Sequence, residues 1–473
     1  MQQLLWINGK REESQAYKSL KSPYNEEIIA DVAQSSAEDV TNAIDAAAEA
    51  AKEMRAMPAH KRADILEKVV ALLKQDRIEC AKIISREAAK PIKAAITEVD
   101  RTIMTYQFAA QEARRIYGET IPMDGAPGGE GRVAYTVREP LGVIGAITPF
   151  NFPMNLVAHK VGPAIAAGNA VVLKPASQTP LSSYKIAEYF HEAGLPSGAL
   201  NVVTGSGSEV GDVLINDERI SMITFTGSPE VGKSIRENAG LKKVTLELGS
   251  NSAVVIDEHT NIEKIVPRIA AGAFAFQGQV CISVQRIFVH ESVFKPFVER
   301  FVEEAKKLKI GDPLDEQTDI SALISKGDVE RAQSWIDEAI ESGAELALGG
   351  KSTDGVLHPT ILLNVGLTER ISCEEAFAPV VHINAFNDFN TALEWVNDSK
   401  YGLQAGVFTN DLQKGFKAAK DLHVGGVMIN DFPTFRVDHM PYGGVKQSGT
   451  GREGIKYAIE EMTEMKLVSF HIN

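Results

Sequence analysis

Apolar residues change their spacing along the chain near residue 141. Before it they recur at helical intervals. Between 36 and 57, Val40, Ile44, Ala47, Ala48 and Ala51 mark one face of an Ala-rich helix. Ser36 is placed to cap that helix, and Asp39 sits in its first turn. Pro58 opens further helical sequence to about Arg115, with a break near Lys90-Pro91. At the start of the chain, LLWINGK (4–10) carries an Asn8-Gly9 pair suited to a tight hairpin. DGAPGGEG (124–131) reads as a turn between strand-like segments, either a hairpin or an arm leaving the body.

From 141 onward short apolar runs alternate with helical stretches. VIGAI (143–147), AVVL (170–173), LNVV (200–203), MITFT (222–226) and VTLEL (244–248) are separated by helical patterns at about 154–168, 181–194, 207–216 and 229–239. This rhythm predicts a mostly parallel sheet with helices on both faces. A second set follows: AVVI (253–256), a helix over 262–277, RIFVH (286–290), a helix over 291–308, and strands near 345–349 and 380–385. KLVSF (466–470) is placed to pair with the 124–131 hairpin or with another subunit.

The chain has 473 residues, 44% hydrophobic and 24% charged, enough for about three domains with real cores. Its 49 basic against 63 acidic side chains give −14, a poor match to nucleic acid or an acidic membrane. A local basic pocket for a phosphorylated cofactor stays open. The three cysteines, Cys80, Cys281 and Cys373, show no metal-site spacing, and their sparse, odd count fits a reducing cytoplasm. MQQLLWINGKREE lacks the basic-then-apolar pattern of a secretory signal. The long uncharged stretch 141–158 holds Pro149, Asn151, Pro153 and Asn155, so it reads as a buried strand plus a loop rather than a membrane span.

Several residues could carry chemistry, and each has a plain alternative. Cys281 ends GAFAFQGQVC after a Gly-Gln turn; it is either a nucleophilic thiol or a buried inert one. Glu247 ends a strand, where a carboxylate faces the ligand side of an α/β sheet as a base or forms a salt bridge. Asn151 lies between two prolines in PFNFP, as an oxyanion donor or a turn-bonding amide. FTGSPEVG (225–232) joins a strand to a helix start that can hold a phosphate, with Ser228 adding a hydroxyl. Lys174, before Pro175-Ala176-Ser177, can reach a ribose or phosphate or be merely solvated.

Taken in order, PFNFP (149–153), KPAS (174–177), FTGS (225–228), ELGSN (247–251), QGQVC (277–281), EEAFAP (374–379) and MPYGGVKQSGTGREG (440–454) resemble the successive motifs of the aldehyde dehydrogenase superfamily over nearly the whole chain. The appearance is nearest the lactaldehyde and non-phosphorylating glyceraldehyde-3-phosphate dehydrogenase branch. The resemblance implies an α/β fold with three parts. These are a Rossmann-like cofactor domain (1–117 and 139–246), an α/β catalytic domain (247–440) and a small β oligomerisation arm (118–138 and 441–473). It implies Cys281 as nucleophile, Glu247 as general base and Asn151 as oxyanion donor. Lys174, Ser177, Gly227 and Ser228 would hold the adenosine side and pyrophosphate of a nicotinamide cofactor. Glu375 would bond its nicotinamide ribose, and Phe377 would pack beside it. In that chemistry a thiohemiacetal on the cysteine loses hydride to the cofactor, and water releases the resulting thioester as an acid. Two positions depart from the family pattern: Ser250 and Ala378 stand where glycine is usual, at turns expected to want positive φ.

The finer expectations follow from the same comparison. A neutral Ser177, where NAD-preferring members often carry Glu, together with nearby Lys174, favours NADP, with NAD the alternative. NLVAHK (155–160) and FRVDHMPYGG (435–444) favour a short 2-hydroxyaldehyde such as lactaldehyde, with His159 and Arg436 as substrate residues. Arg436 could equally bridge a subunit contact. Succinate semialdehyde and glyceraldehyde 3-phosphate are the alternative substrates. A silent binding protein on the same fold is the alternative class, and an intact thiol, base and amide argue against it. The implied assembly is a homodimer or homotetramer.

Overall fold

A computed structural model describes residues 2–472. The helical first quarter forms as the periodicity predicts. Ser36 caps the helix Ala37–Ala56 in a reciprocal box, its Oγ accepting from the Asp39 N–H while its own N–H donates to the Asp39 carboxylate. The buried face runs through Val40, Ala43, Ile44, Ala47, Ala50 and Met54, so Ala48 and Ala51 lie at its margin. Three helices follow, Ala59–Gln75, Arg77–Ala88 and Ile92–Ala113. The break at 90–91 is present; a second, at Asp76, has no proline or glycine to mark it. Asn8 and Gly9 take φ of 52° and 72° between the strands Leu5–Ile7 and Lys10–Glu12, as a two-residue hairpin requires.

The first strands after 141 join the N-terminal hairpin in an eight-stranded sheet. Its parallel part runs, edge to edge, Lys243–Glu247, Ile220–Thr226, Val143–Ile147, Ala170–Lys174, Leu200–Val202. The chain winds outward one way from Val143–Ile147, then returns to its other side. The direction of winding therefore reverses between Val143–Ile147 and Ile220–Thr226, and a crevice opens above their C-terminal ends. Helices Asn155–Ala167, Leu181–Glu192 and Pro229–Asn238 lie between the strands as expected, whereas 207–216 splits into a π turn and a short α-helix.

A seven-stranded sheet forms the second body, with Ala253–Ile256 and Arg286–His290 at its centre and Glu345–Leu348 the one antiparallel member. Three of its helices, Lys326–Glu341, Phe389–Asn397 and Leu412–Asp421, were not anticipated from the apolar pattern. The third part is a three-stranded sheet in which Thr463–His471 pairs along the full length of Arg132–Pro140, with Thr120–Ile121 on the far side. Residues 449–450 pair with the edge of the first sheet, and the helix Ile455–Glu461 packs on Asn155–Ala167. The C-terminal share of the arm sheet thus starts at 463, not 441. A small apolar cluster of Ala88, Phe276, Val280, Ile282, Leu403 and Tyr442, with Phe152 and Cys281 against it, lies where the first two bodies meet.

Candidate active site

Four segments leave the C-terminal ends of neighbouring strands of the first sheet and carry most of the residues singled out from the sequence. Val143–Ile147 leads into the loop with Asn151, and Ile220–Thr226 into Gly227 and Ser228. Glu247 is the last residue of Lys243–Glu247, and Lys174 the last of Ala170–Lys174. Ser228 caps the helix Pro229–Asn238 through the Val231 N–H.

Cys281 arrives from the second body on an unusual turn. The helix Ile262–Phe274 ends, and Phe276, Gln277 and Gly278 then take φ of 47°, 54° and 73°. Left-handed backbone at two non-glycine residues is costly and needs fixing by its surroundings. The Gln277 amide donates to the Ala89 and Ala322 carbonyls at 3.1 and 3.0 Å, and the Gln279 side chain accepts from the Ile324 N–H at 3.0 Å. At Gly278 an added Cβ would stand 2.1 Å from the Ala378 carbonyl oxygen, so only glycine fits. The Asn151 Nδ2 donates to the Gln279 carbonyl at 2.9 Å, tying the amide to the thiol loop and leaving its second N–H free. Behind Asn151, a fully buried Lys90–Glu98 ion pair holds the loop. Lys90 donates to the Asn151 carbonyl at 2.6 Å, and Glu98 accepts from the Met154 N–H at 2.9 Å.

A cavity of about 460 Å³ is lined by Asn151, Glu247, Cys281, Gly227, Ser228, Glu375 and Phe377 among others. Seven of the residues named from the sequence thus converge on one space. Lys174 and Ser177 are not in its wall: Lys174 is buried with only a long contact to the Pro175 carbonyl, and the Ser177 hydroxyl donates to the Gly205 carbonyl at 3.2 Å. Glu375 accepts from the Ser250 N–H at 2.9 Å, and a Cβ at Gly249 would stand 2.5 Å from it. Neither Ser250 nor Ala378 has positive φ. The left-handed residue of that loop is Phe377 (φ 47°), so both departures from glycine fit without strain.

The electrostatics favour neutral resting groups. Both oxygens of the buried Glu247 lack a protein partner. Burial, then the nearby Glu453 charge, raises its pKa well above the ordinary carboxylate range, against Arg436, Lys160 and Arg452. Burial pushes the Cys281 thiol up to about 12, although a hydrogen bond from Tyr442 opposes it. Burial also lifts Glu375 to about 7.

On its other side Cys281 opens into a second pocket of about 240 Å³, whose wall includes Arg101, Phe152, Thr434, Arg436 and Tyr442. The Arg436 side chain is buried, pairs with Glu453 at 2.9 Å, packs 3.7 Å over the Tyr442 ring and lines the pocket. His159 does not line this pocket. It stands behind Arg436, with Nε2 2.9 Å from Asp438 and 3.2 Å from the Arg436 guanidinium. Asp438 also receives Arg101 and Asn155, so one polar network ties His159 to these two pocket-lining side chains. Sequence reasoning missed Arg101, Thr434 and Tyr442 as site residues. Tyr442 stood inside a quoted motif, but Arg101 lies on a helix with no local signal.

A profile of the aldehyde dehydrogenase family matches residues 6–468. A 3-sulfolactaldehyde dehydrogenase of Priestia aryabhattai is 46% identical over 99% of this chain and 98% of its own. A lactaldehyde dehydrogenase of Methanococcus aeolicus is 45% identical over 98% of each. The solved structure of an NADP-dependent glyceraldehyde-3-phosphate dehydrogenase from Bacillus halodurans, in complex with NADP, superposes with a TM-score of 0.98 at 38% identity over the full length of both chains.

Proposed function

The chain belongs to the aldehyde dehydrogenase family, and from that premise we propose that it oxidises a short 2-hydroxyaldehyde of the lactaldehyde class to its acid, with NADP preferred over NAD. The observation that carries this reading is the placement of one thiol at the junction of two cavities. One cavity has the lining expected for a nicotinamide cofactor, and the other is small and walled by aromatic and arginine side chains.

A dinucleotide suits the residues present. The larger cavity runs from Cys281 and Glu247 past Phe377 and Glu375 to the capped start of the helix Pro229–Asn238, where free N–H groups favour a phosphate. When bound, the nicotinamide supplies the hydride acceptor. Everything else falls to the chain. The Cys281 thiolate adds to the aldehyde carbon, and Asn151, whose amide keeps one N–H beyond its bond to the Gln279 carbonyl, donates to the oxygen as it becomes negative. The unpartnered Glu247 carboxylate then takes a proton from the water that releases the acyl group from sulfur. The presence of Glu247 favours release to water over transfer to a thiol carrier. For NADP, a neutral Ser177 spares a 2′-phosphate the repulsion a carboxylate would exert. The unpaired cysteines fit a reducing compartment such as the cytoplasm.

Lactaldehyde and its 3-sulfonated form are the substrates that the names of the two similar enzymes give, and a pocket of about 240 Å³ suits a small aldehyde. Initial rates on lactaldehyde, 3-sulfolactaldehyde, glyceraldehyde 3-phosphate and succinate semialdehyde, each with NAD and NADP, test the proposal. One of the first two should give the highest kcat/KM. A tenfold preference for either of the other aldehydes overturns the substrate reading, and a tenfold preference for NAD overturns the cofactor reading.

A further inference from the structure

The sulfur that opens onto both cavities has a side-chain partner, the Tyr442 hydroxyl at 2.8 Å. Nothing about this tyrosine is loose. The Arg436 guanidinium lies over its ring, 3.7 Å from the centroid. Its backbone exchanges two hydrogen bonds with Glu453, at 3.0 and 2.7 Å. The ring belongs to the apolar cluster at the junction of the two bodies. The next residue, Gly443, has φ of +154°, and a Cβ there would stand 2.9 Å from a Glu247 oxygen. One dipeptide therefore offers a phenol to the sulfur and bare backbone to the carboxylate.

We propose that Tyr442 is a further catalytic residue, whose phenol holds the Cys281 sulfur at the mouth of the two cavities and donates to it once the sulfur is an anion. The proposal rests on Cys281 being the nucleophile. A thiol can donate or accept in this contact, whereas a thiolate can only accept, so after ionisation the phenol O–H must be the donor. The phenol is suited to that role because it stays protonated. Burial and the neighbouring Cys281 and Glu247 hold its own ionisation well above the ordinary tyrosine value, against the pull of Arg436. The thiol proton leaves to water, the sulfur pair forms the bond to the carbonyl carbon, and the π pair moves onto oxygen. The phenol proton remains on Tyr442 throughout. Arg436 positions the ring it stacks upon, and its charge also favours the thiolate directly.

Tyr442→Phe keeps the ring and its stacking on Arg436 and removes only the oxygen. The measurement is the rate of iodoacetamide alkylation of Cys281, read by peptide mass spectrometry from pH 7 to 10 without aldehyde. Raising a thiol pKa by one unit cuts the thiolate about tenfold and raises its nucleophilicity about threefold, a net loss of about threefold. Alkylation should fall threefold or more across the range. Unchanged labelling of the buried Cys80 in the same digest reports an intact fold. Alkylation within twofold of the parent, or faster, overturns the proposal. Cys281→Ala separates the two layers: oxidation surviving in that variant defeats the nucleophile reading itself. Lost oxidation there, with unchanged alkylation in Tyr442→Phe, defeats the role of Tyr442 alone.

Discussion

Glu247 and Cys281 share a property that decides how the reaction should depend on pH. In the proposed mechanism each acts as an anion, and burial raises the pKa of each, the thiol to about 12. The active fraction therefore grows as pH rises, and kcat/KM should climb steadily from pH 7 to pH 9 with no falling alkaline limb in that interval. A bell centred near neutrality in a pH–rate profile would contradict the assignment. The two residues separate in transient kinetics. Glu247→Gln leaves the thiol able to add to aldehyde but removes the base for release, a loss of roughly 10²–10⁴-fold in the general-base step. Stopped-flow should show a burst of reduced cofactor close to one per active site, followed by a steady state slowed by that factor. Loss of the burst together with turnover would mean that Glu247 serves the first half-reaction instead.

At the scale of elements, the site depends on two loops held from behind. Gly278→Ala places a Cβ against the Ala378 carbonyl at a left-handed position, with strain of roughly 1–3 kcal/mol or more. The expected outcome is a lower melting temperature and at least tenfold slower alkylation of Cys281, since the displaced turn carries the thiol. Lys90→Met strands a buried Glu98 carboxylate and should cost about 3–5 kcal/mol, visible as a melting temperature lowered by several degrees in scanning calorimetry. These loops also mark where the sequence stops being readable. VIGAI, AVVI and RIFVH matched their strands residue for residue because each is four or five residues long and rich in β-branched side chains, which separates a buried strand from a helix segment. The helices Lys326–Glu341 and Leu412–Asp421 escaped notice because each buries only two or three residues, too few to stand out from their charged faces. Gly278 signals a turn, but nothing in Phe276 or Gln277 announces left-handed backbone, which is imposed by Ala89, Ala322 and Ile324 from distant parts of the chain. That Cys281, Glu247 and Asn151 share a cavity could be anticipated because PFNFP, ELGSN and QGQVC keep those three residues in recognisable motifs, even with Ser250 in place of a glycine. Arg101 could not, since its place in the pocket is set by a partner, Asp438, 337 residues away.

At the scale of the whole molecule, the three-stranded sheet at the C-terminus is the part with most left uncovered in one chain. Thr463–His471 is the open edge of a three-stranded sheet, with nine residues in register with Arg132–Pro140. Antiparallel pairing puts Val133 opposite Phe470 and Tyr135 opposite Val468 on one face, where Tyr135 and Phe470 stack at 6.3 Å. Val133, Tyr135 and Phe470 are 49%, 40% and 53% exposed, so this end of the face, beyond the Lys466–Glu139 ion pair, is apolar and uncovered in the single chain. A small sheet with a bare apolar patch and a long free edge is marginal by itself and a template for pairing. Symmetric association of like subunits supplies both a cover and an edge partner in one step. We therefore expect light scattering to give a mass that is a whole multiple of the 51.3 kDa chain at micromolar concentration. Replacing Tyr135 and Phe470 together with Asp should lower that multiple, because two charges would then be desolvated at the contact. The active-site cavities are lined entirely by residues outside this sheet. The dissociated variant should therefore keep Cys281 alkylation at the parent rate even if it loses thermal stability. A parent protein that scatters as a single chain would mean that the exposed face is tolerated in water, and the arm would then have some other purpose than joining copies.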